Sequence, residues 1–253
     1  MIYSITKSGI PNVTKVFIVY GKDPGFGFID TMTNLGFEII FSNHVMKNRV
    51  RFNAVVDRYE DCLQYLKEHE GEYDRVAITD FRDVVFFADG FSTVGFDEVV
   101  MTTECVKHNS IEEIECIDFS HDSNYRWIVQ TFGNEIANKY REEKRVVINA
   151  GVIIGGYSQV KQLLTKFNET VYSFQSTSHL WGFDQAVFNY LYYSGQLKDI
   201  NLVLDSGTQR IAFDCFGGHV YNMKKKSFHL KYNDCSMVIR HKMYGAGYWL
   251  NIV

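Results

Sequence analysis

The chain has 253 residues, 46% of them hydrophobic and 22% charged, with a formal net charge of −4. That length and apolar content suffice for one large domain or two closely fused lobes, and they exclude a disordered chain. The densest basic run is Lys224 to Lys226, so there is no extended face to neutralise a phosphate backbone, and genome binding is disfavoured. Five cysteines without a C-x-x-C spacing suit reduced thiols used as core filler better than a disulfide frame or a zinc site. The first residues lack a basic stretch followed by an apolar one, and no apolar segment reaches bilayer length. The expectation is a soluble, cytoplasmic protein without a membrane span.

In chain order, "KVFIVYG" (15–21) is a continuous apolar run ended by glycine, as expected of a strand covered on both faces. "FIDTMTNLG" predicts a short helix stopped by Gly36, and "FEIIF" a second strand. "AVVDRYEDCLQYLKEHEG" places Val55, Tyr59, Cys62, Leu63 and Leu66 at helical spacing before Gly71. The third strand, "RVAIT", runs into Asp80. This alternation predicts an α/β fold in which three strands pair in parallel through right-handed crossovers. Their common C-terminal edge is where open α/β sheets bind ligands. Further on, "EVVMTT" predicts a strand and "NYRWIVQTFGNEIANKYREE" (124–143) one helix. "RVVINAGVIIGG" (145–156) predicts a strand interrupted at Ala150-Gly151, a pattern that marks a bulge or a close approach of backbone to ligand. "YSQVKQLLTKFNETVYSF" and "DQAVFNYLYYSG" predict helices, and the tail from Leu202 offers the strands "NLVLD", "HVYNM" and "SMVIRHKMY". No repeat or low-complexity linker divides the chain.

The stretch "RVAITDFRDVVFFADGF" puts Asp80 and Asp83 at the end of the third strand, on the predicted ligand edge. Two such carboxylates are suited to a hard divalent cation, Mg²⁺ or Mn²⁺, whose remaining positions go to water and diphosphate oxygens. The competing reading is a turn or helix cap, with Asp80 and Arg82 in a surface ion pair.

Taken together, "TDFRDVVFFADGF", "NAGVIIGG", "WGFDQAVFNYLYY" and "RHKMYG" resemble nucleotide-sugar glycosyltransferases of the GT-A fold. The similarity is to the retaining, glycogenin-like group and to relatives with a T-D-x-R-D-x-x-F strand end, and it spans Lys15 to Tyr244. The resemblance implies a single Rossmann-like domain with a mixed central sheet flanked by helices. About 12–105 would form the nucleotide half and about 106–253 the sugar and acceptor half. It implies a hexosyltransferase that uses a UDP- or GDP-sugar donor, Mn²⁺ or Mg²⁺, and a hydroxyl acceptor of unassigned class. The family's aspartate-x-aspartate metal signature falls on Asp80 and Asp83, here two residues apart instead of one, and Arg82 between them is grouped with the donor-binding positions. The family's late histidine ligand falls on His241, although its H-x-x-G-x-x-K pattern is incomplete.

The same resemblance implies that Asn149 and Gly151 line the sugar pocket, that Asp184 contacts donor or acceptor hydroxyls, and that Arg58 helps hold the diphosphate or sugar. Tyr20, at the end of the first strand, would border the base. For Asp184 the other reading is an N-cap, and for Arg58 a solvated helix face. Other functions remain as alternatives: a sugar-nucleotide or carbohydrate-binding module without transferase activity, or a metal-dependent phosphohydrolase. A haloacid-dehalogenase-type phosphatase places its nucleophile after the first strand, and a sugar-nucleotide pyrophosphorylase needs an arginine that "GKDPGFG" lacks.

Overall fold

The structure is a computed structural model describing residues 5, 10–20, 25, 27–42, 54–81, 84–86, 88–107, 114–116, 118–120, 122–174, 181–205, 210–213, 219–222, 227–230 and 239–241. Strand β1 (Lys15–Val19) leads through the short helix α1 (Phe28–Asn34) to β2 (Phe37–Phe41), which pairs with β1 in parallel, Lys15 with Phe37 through Val19 with Phe41. Helix α2 (Ala54–Glu68) follows, burying Val56, Tyr59, Leu63 and Leu66 at helical spacing.

The expected parallel pairing of three successive strands is realised for β1 with β2. Strand β3 (Arg75–Thr79) instead joins a four-stranded sheet with β5 (Val99–Thr103), β8 (Ile148–Gly156) and β9 (Leu202–Asp205), in the order β3-β8-β5-β9. There β8 runs antiparallel to both β3 and β5, whereas β5 and β9 are parallel, so the sheet is mixed. The physical reason lies in β8. Its nine residues are all buried, and it offers a ladder to one neighbour on each side. The chain beyond residue 106 is thereby threaded between strands from before it.

Successive β8 side chains enter two different cores. Ile153 packs with Val56, Tyr59, Leu63, Leu164, Phe167, Val187 and Phe188 under helices α2, α5 (Tyr157–Ser173) and α6 (Phe183–Tyr193). Val152 and Ile154 pack on the other face with Val84, Phe86, Val94, Ile211 and Ile239. Each fully buried large aliphatic side chain of this kind contributes roughly 1.5–3 kcal/mol. The second core sits beneath a small sheet of β4 (Val85–Phe86), β10 (Ile211–Phe213) and β13 (Ile239–His241), ordered β10-β13-β4. Two hairpins complete the strands: β6 (Cys105–Lys107) with β7 (Ile114–Cys116), and β11 (His219–Asn222) with β12 (Ser227–Leu230). The rings of Phe17 on β1, Phe28 on α1 and Phe81 just after β3 meet at centroid distances of 4.7 to 6.0 Å, joining the first strand pair to the main sheet.

The predicted single helix over 124–143 is two, α3 (Asp122–Phe132) and α4 (Asn134–Glu142). Gly133 between them has φ 91°, outside helical space, while the apolar spacing of Ile128, Phe132 and Ile136 runs on across the break. No helix among the described residues is long and apolar enough to cross a membrane.

Candidate active site

The site is built where β8 departs from regular pairing. Met101 on β5 pairs with Ile153, but the next residue, Thr102, pairs with Asn149, so Ala150, Gly151 and Val152 are passed over on that side. The interruption predicted at Ala150-Gly151 is therefore a bulge inside a continuous strand. Its backbone groups are taken up from the other side. The amide of Asp80 donates to the Gly151 carbonyl at 2.8 Å, and the Tyr59 hydroxyl donates to the Ala150 carbonyl at 2.9 Å. The Asn149 side-chain oxygen accepts from the Gly151 amide at 2.8 Å, which closes the bulge locally.

Around it gather charged residues from three distant stretches. Arg58 on α2 donates through Nη1 to the Asp80 carboxylate, and through Nη2 to the Tyr59 hydroxyl at 2.7 Å and to Asp184 Oδ2 at 3.3 Å. One guanidinium thus bridges two carboxylates, one at the end of β3 and one in the first turn of α6. The two ends differ in access: the Asp80 side chain is 28% exposed, that of Asp184 6%. Arg58 Nε is buried and has no acceptor among the described residues.

Burial pushes the Asp184 carboxyl above the ordinary range, and the Asp80 charge adds to the rise, while Arg58 and the backbone N–H of Gln185 hold it back. Burial works against the charge on Arg58, but Tyr59, Asp80 and Asp184 more than offset it, and its pKa rises. Arg58 is therefore a fixed positive charge here. Burial also raises the Tyr59 hydroxyl well above its usual value, so it stays protonated and keeps its bond to Ala150.

Asp184 is not an N-cap: the helix begins at Phe183 after Gly182, and Asp184 lies inside its first turn, where the helix dipole favours an anion. Gly182 has φ 75°, and a Cβ there would lie 2.2 Å from the Trp127 ring, so the turn that presents Asp184 requires glycine on both counts. Asp80 is paired with Arg58, and Arg58 is half-buried, not on a solvated face.

A second network, of one carboxyl group and several side-chain amides, also meets the bulge, and sequence reasoning missed most of it. Glu104, just after β5, accepts from Asn149 Nδ2 at 2.9 Å, Gln185 Nε2 at 3.0 Å and Asn124 Nδ2 at 3.3 Å. Gln185 also donates to Asn124 Oδ1 at 2.7 Å, and its oxygen faces Asn149 Nδ2 and the Ala150 amide. One turn on, Asn189 donates to the Ile148 carbonyl at 2.8 Å and accepts from the Ile148 amide at 2.9 Å. Asn149, expected to offer its amide to a sugar, spends both ends of that amide inside the protein.

Tyr20, directly after β1, donates to Asp61 Oδ2 at 2.7 Å, as does Ser42, directly after β2. Burial, together with the Asp61 bond, raises the Tyr20 hydroxyl far above its usual value. The C-terminal ends of both parallel strands are thus tied to α2 three residues beyond Arg58. Asp61 was not anticipated.

Arg82, Asp83 and the His241 side chain lie outside the described residues. Of the three expected metal ligands only the Asp80 side chain is described, and among the described residues no three His, Cys, Asp or Glu side chains form a metal cage. The backbone of β13 does bear on the question. Ile239 pairs with Phe86 and Arg240 with Val85 in an antiparallel ladder, so progress along β13 to His241 runs back along β4 toward Val84, the sequence neighbour of Asp83. No protein-family model matches the chain, and no curated protein matches it significantly in sequence.

Proposed function

We propose that this protein is a metal-dependent glycosyltransferase of the GT-A type, moving a hexose from a nucleoside diphosphate sugar to a hydroxyl acceptor with retention. One observation carries the reading. Arg58, Asp80 and Asp184, selected from three separate stretches of sequence, meet in one hydrogen-bonded cluster against the Asn149–Gly151 bulge. The mixed sheet, with antiparallel β8 between β3 and β5, supports it, as does the β13 register that carries His241 toward Val84.

Of the two carboxylates that Arg58 bridges, Asp80 is the more accessible, and it is the one described member of the expected ligand set. In this reading Asp80, Asp83 and His241 hold Mn²⁺ or Mg²⁺, which when bound offsets charge on the departing diphosphate. Arg58 contributes positive charge to the same group. Asp184, nearly buried and fixed at a helix N-terminus, orients hydroxyls of the sugar or acceptor. Asn149 shapes the pocket through the bulge it closes, with Gly151 leaving room for the ring. Tyr20 and Asp61 border the nucleoside at the ends of β1 and β2. The anomeric C–O bond to the diphosphate breaks as the acceptor oxygen attacks the same face, and the departing phosphate oxygen takes the acceptor proton.

Thermal unfolding with Mn²⁺ and UDP or GDP tests the proposal. A ligand at a hundred times its Kd is expected to raise Tm by roughly 5–10 °C for a chain of this size. Asp83→Ala is expected to abolish the shift. Asp184→Ala is expected to keep it and to lose metal-dependent turnover of nucleotide sugars. A protein indifferent to both nucleotides, or one that releases phosphate from a generic monoester, overturns the reading.

A further inference from the structure

We infer that Cys105 and Cys116 form a disulfide at the base of the β6–β7 hairpin, a modification site apart from the Arg58 cluster and independent of the function proposed above. In the antiparallel register of that hairpin the two residues are direct partners, ahead of the pairs Val106 with Glu115 and Lys107 with Ile114. Directly opposed residues of an antiparallel pair have Cα atoms about 4.5–5.5 Å apart, and a disulfide spans about 4.4–6.8 Å between the same atoms. The register therefore meets the backbone requirement of the bond.

That register is held from outside the hairpin. On one side Thr103 pairs with Ile148, and the Glu104 amide donates to the Val147 carbonyl at 2.8 Å. On the other, Asp118 forms an antiparallel bridge with Val146, and the Phe119 amide donates to the Arg145 carbonyl at 3.3 Å. Both legs of the hairpin thus start from one stretch, 145–148, with Cys105 directly after Glu104 and Cys116 two residues before Asp118. Two segments fastened to a common strand stay together whatever the state of the thiols, which makes the bond between them an intramolecular step at high effective concentration. A staple also has work to do there: each strand has three residues, and so short a two-stranded hairpin is marginal in water. Glu104 is the acceptor on which Asn149, Gln185 and Asn124 converge, so a loop closed beside it steadies the backbone that carries that network.

The oxidant is a low-molecular-weight disulfide such as glutathione disulfide. One cysteine loses its proton and attacks a glutathione sulfur, expelling one glutathione thiolate; the other cysteine loses its proton and attacks the mixed disulfide, expelling the second. Two cysteine thiols are oxidised to one S–S bond, one glutathione disulfide is reduced, and the two protons end on the two glutathione thiolates. Cys62 supplies the contrast within the same chain. It is a free thiol on α2, and burial pushes it up to about 12, so it stays protonated and unreactive. The expectation of reduced thiols is kept for Cys62, while Cys215 and Cys235 lie outside the described residues.

Peptide mapping of the full chain tests this. The protein is equilibrated with excess glutathione disulfide, its remaining thiols are blocked with N-ethylmaleimide under denaturing conditions, and it is digested with trypsin without reductant. Cleavage after Lys107 and Arg126 puts the two cysteines on separate peptides, 83–107 and 108–126, which then stay joined only through sulfur. The expected result is a joined pair that separates on reduction, with Cys62 carrying the maleimide. Blocked thiols at both Cys105 and Cys116, or either one joined to a different cysteine or to glutathione alone, overturn the inference. The oxidised wild type is also expected to melt roughly 5–10 °C above the reduced protein, a difference lost in both Cys105→Ser and Cys116→Ser. A difference missing in wild type, or kept in either variant, overturns the staple. Should the serine variants fail to fold, the wild-type peptide map decides alone.

Discussion

Asp184 and Gln185 are neighbours in the chain, yet they meet opposite surroundings. Asp184 reaches a guanidinium and, through it, a second carboxylate that is open to solvent; Gln185 reaches Glu104, Asn124 and Asn149, all buried. The amide side has donors matched to acceptors throughout, and such networks fix a single arrangement. The charged side leaves Arg58 Nε without an acceptor among the described residues, and one acid accessible. One face of the turn is closed on buried partners, and the other keeps one acid open to solvent.

Substitutions can break this contrast in different places. Gly182→Ala strikes the turn that carries both sides: a side chain at φ 75° driven into the Trp127 ring is expected to cost about 3 kcal/mol or more, seen as a lower urea midpoint, with nucleotide response lost alongside. Asn189→Ala strikes only the scaffold side. It leaves both backbone groups of Ile148 without their present partners and is expected to cost about 2 kcal/mol, while the folded protein keeps its response to Mn²⁺ and nucleotide. A variant that stays stable but no longer responds would show that the two sides are not separable.

Asp184→Asn touches only the charged side, and its effect depends on pH. Burial holds the Asp184 carboxyl above its ordinary value of 3.8, so the folded protein holds this proton more firmly than the unfolded chain. The residue's contribution to stability therefore falls as pH rises from the unfolded value through the raised one. Wild type is expected to gain on Asp184→Asn as pH is lowered from neutral toward about 4, read from paired urea midpoints. A difference constant across that window would remove the role given to burial.

The sequence displayed the charged side far more clearly than the amide side. Asp80 stands out because an acid at the end of an apolar strand is locally anomalous, and Asp184 because it follows glycine at a helix start. Strand β3 and helices α2, α5 and α6 were legible from period and punctuation alone. What escaped depends on distant partners. Antiparallel β8 between β3 and β5 is decided by pairing over more than forty residues of chain, and Glu104 and Asn124 look like any polar residue until the fold brings them together. One signal was present: Asp184, Gln185 and Asn189 are the polar residues in the otherwise apolar or aromatic α6, and a buried helix retains such groups when they have internal partners. Gly133 misled in the other direction, because apolar spacing persisted across a break that only its backbone angle reveals.

The bonds from Asn189 to Ile148 have a wider consequence. Its side-chain amide occupies the flank of β8 that β3 would reach if it ran on past Asp80, as a plug fills the last slot of a rack. The amide closes that flank, so β3 has no ladder left to follow beyond Asp80 and its register on β8 is held at that end.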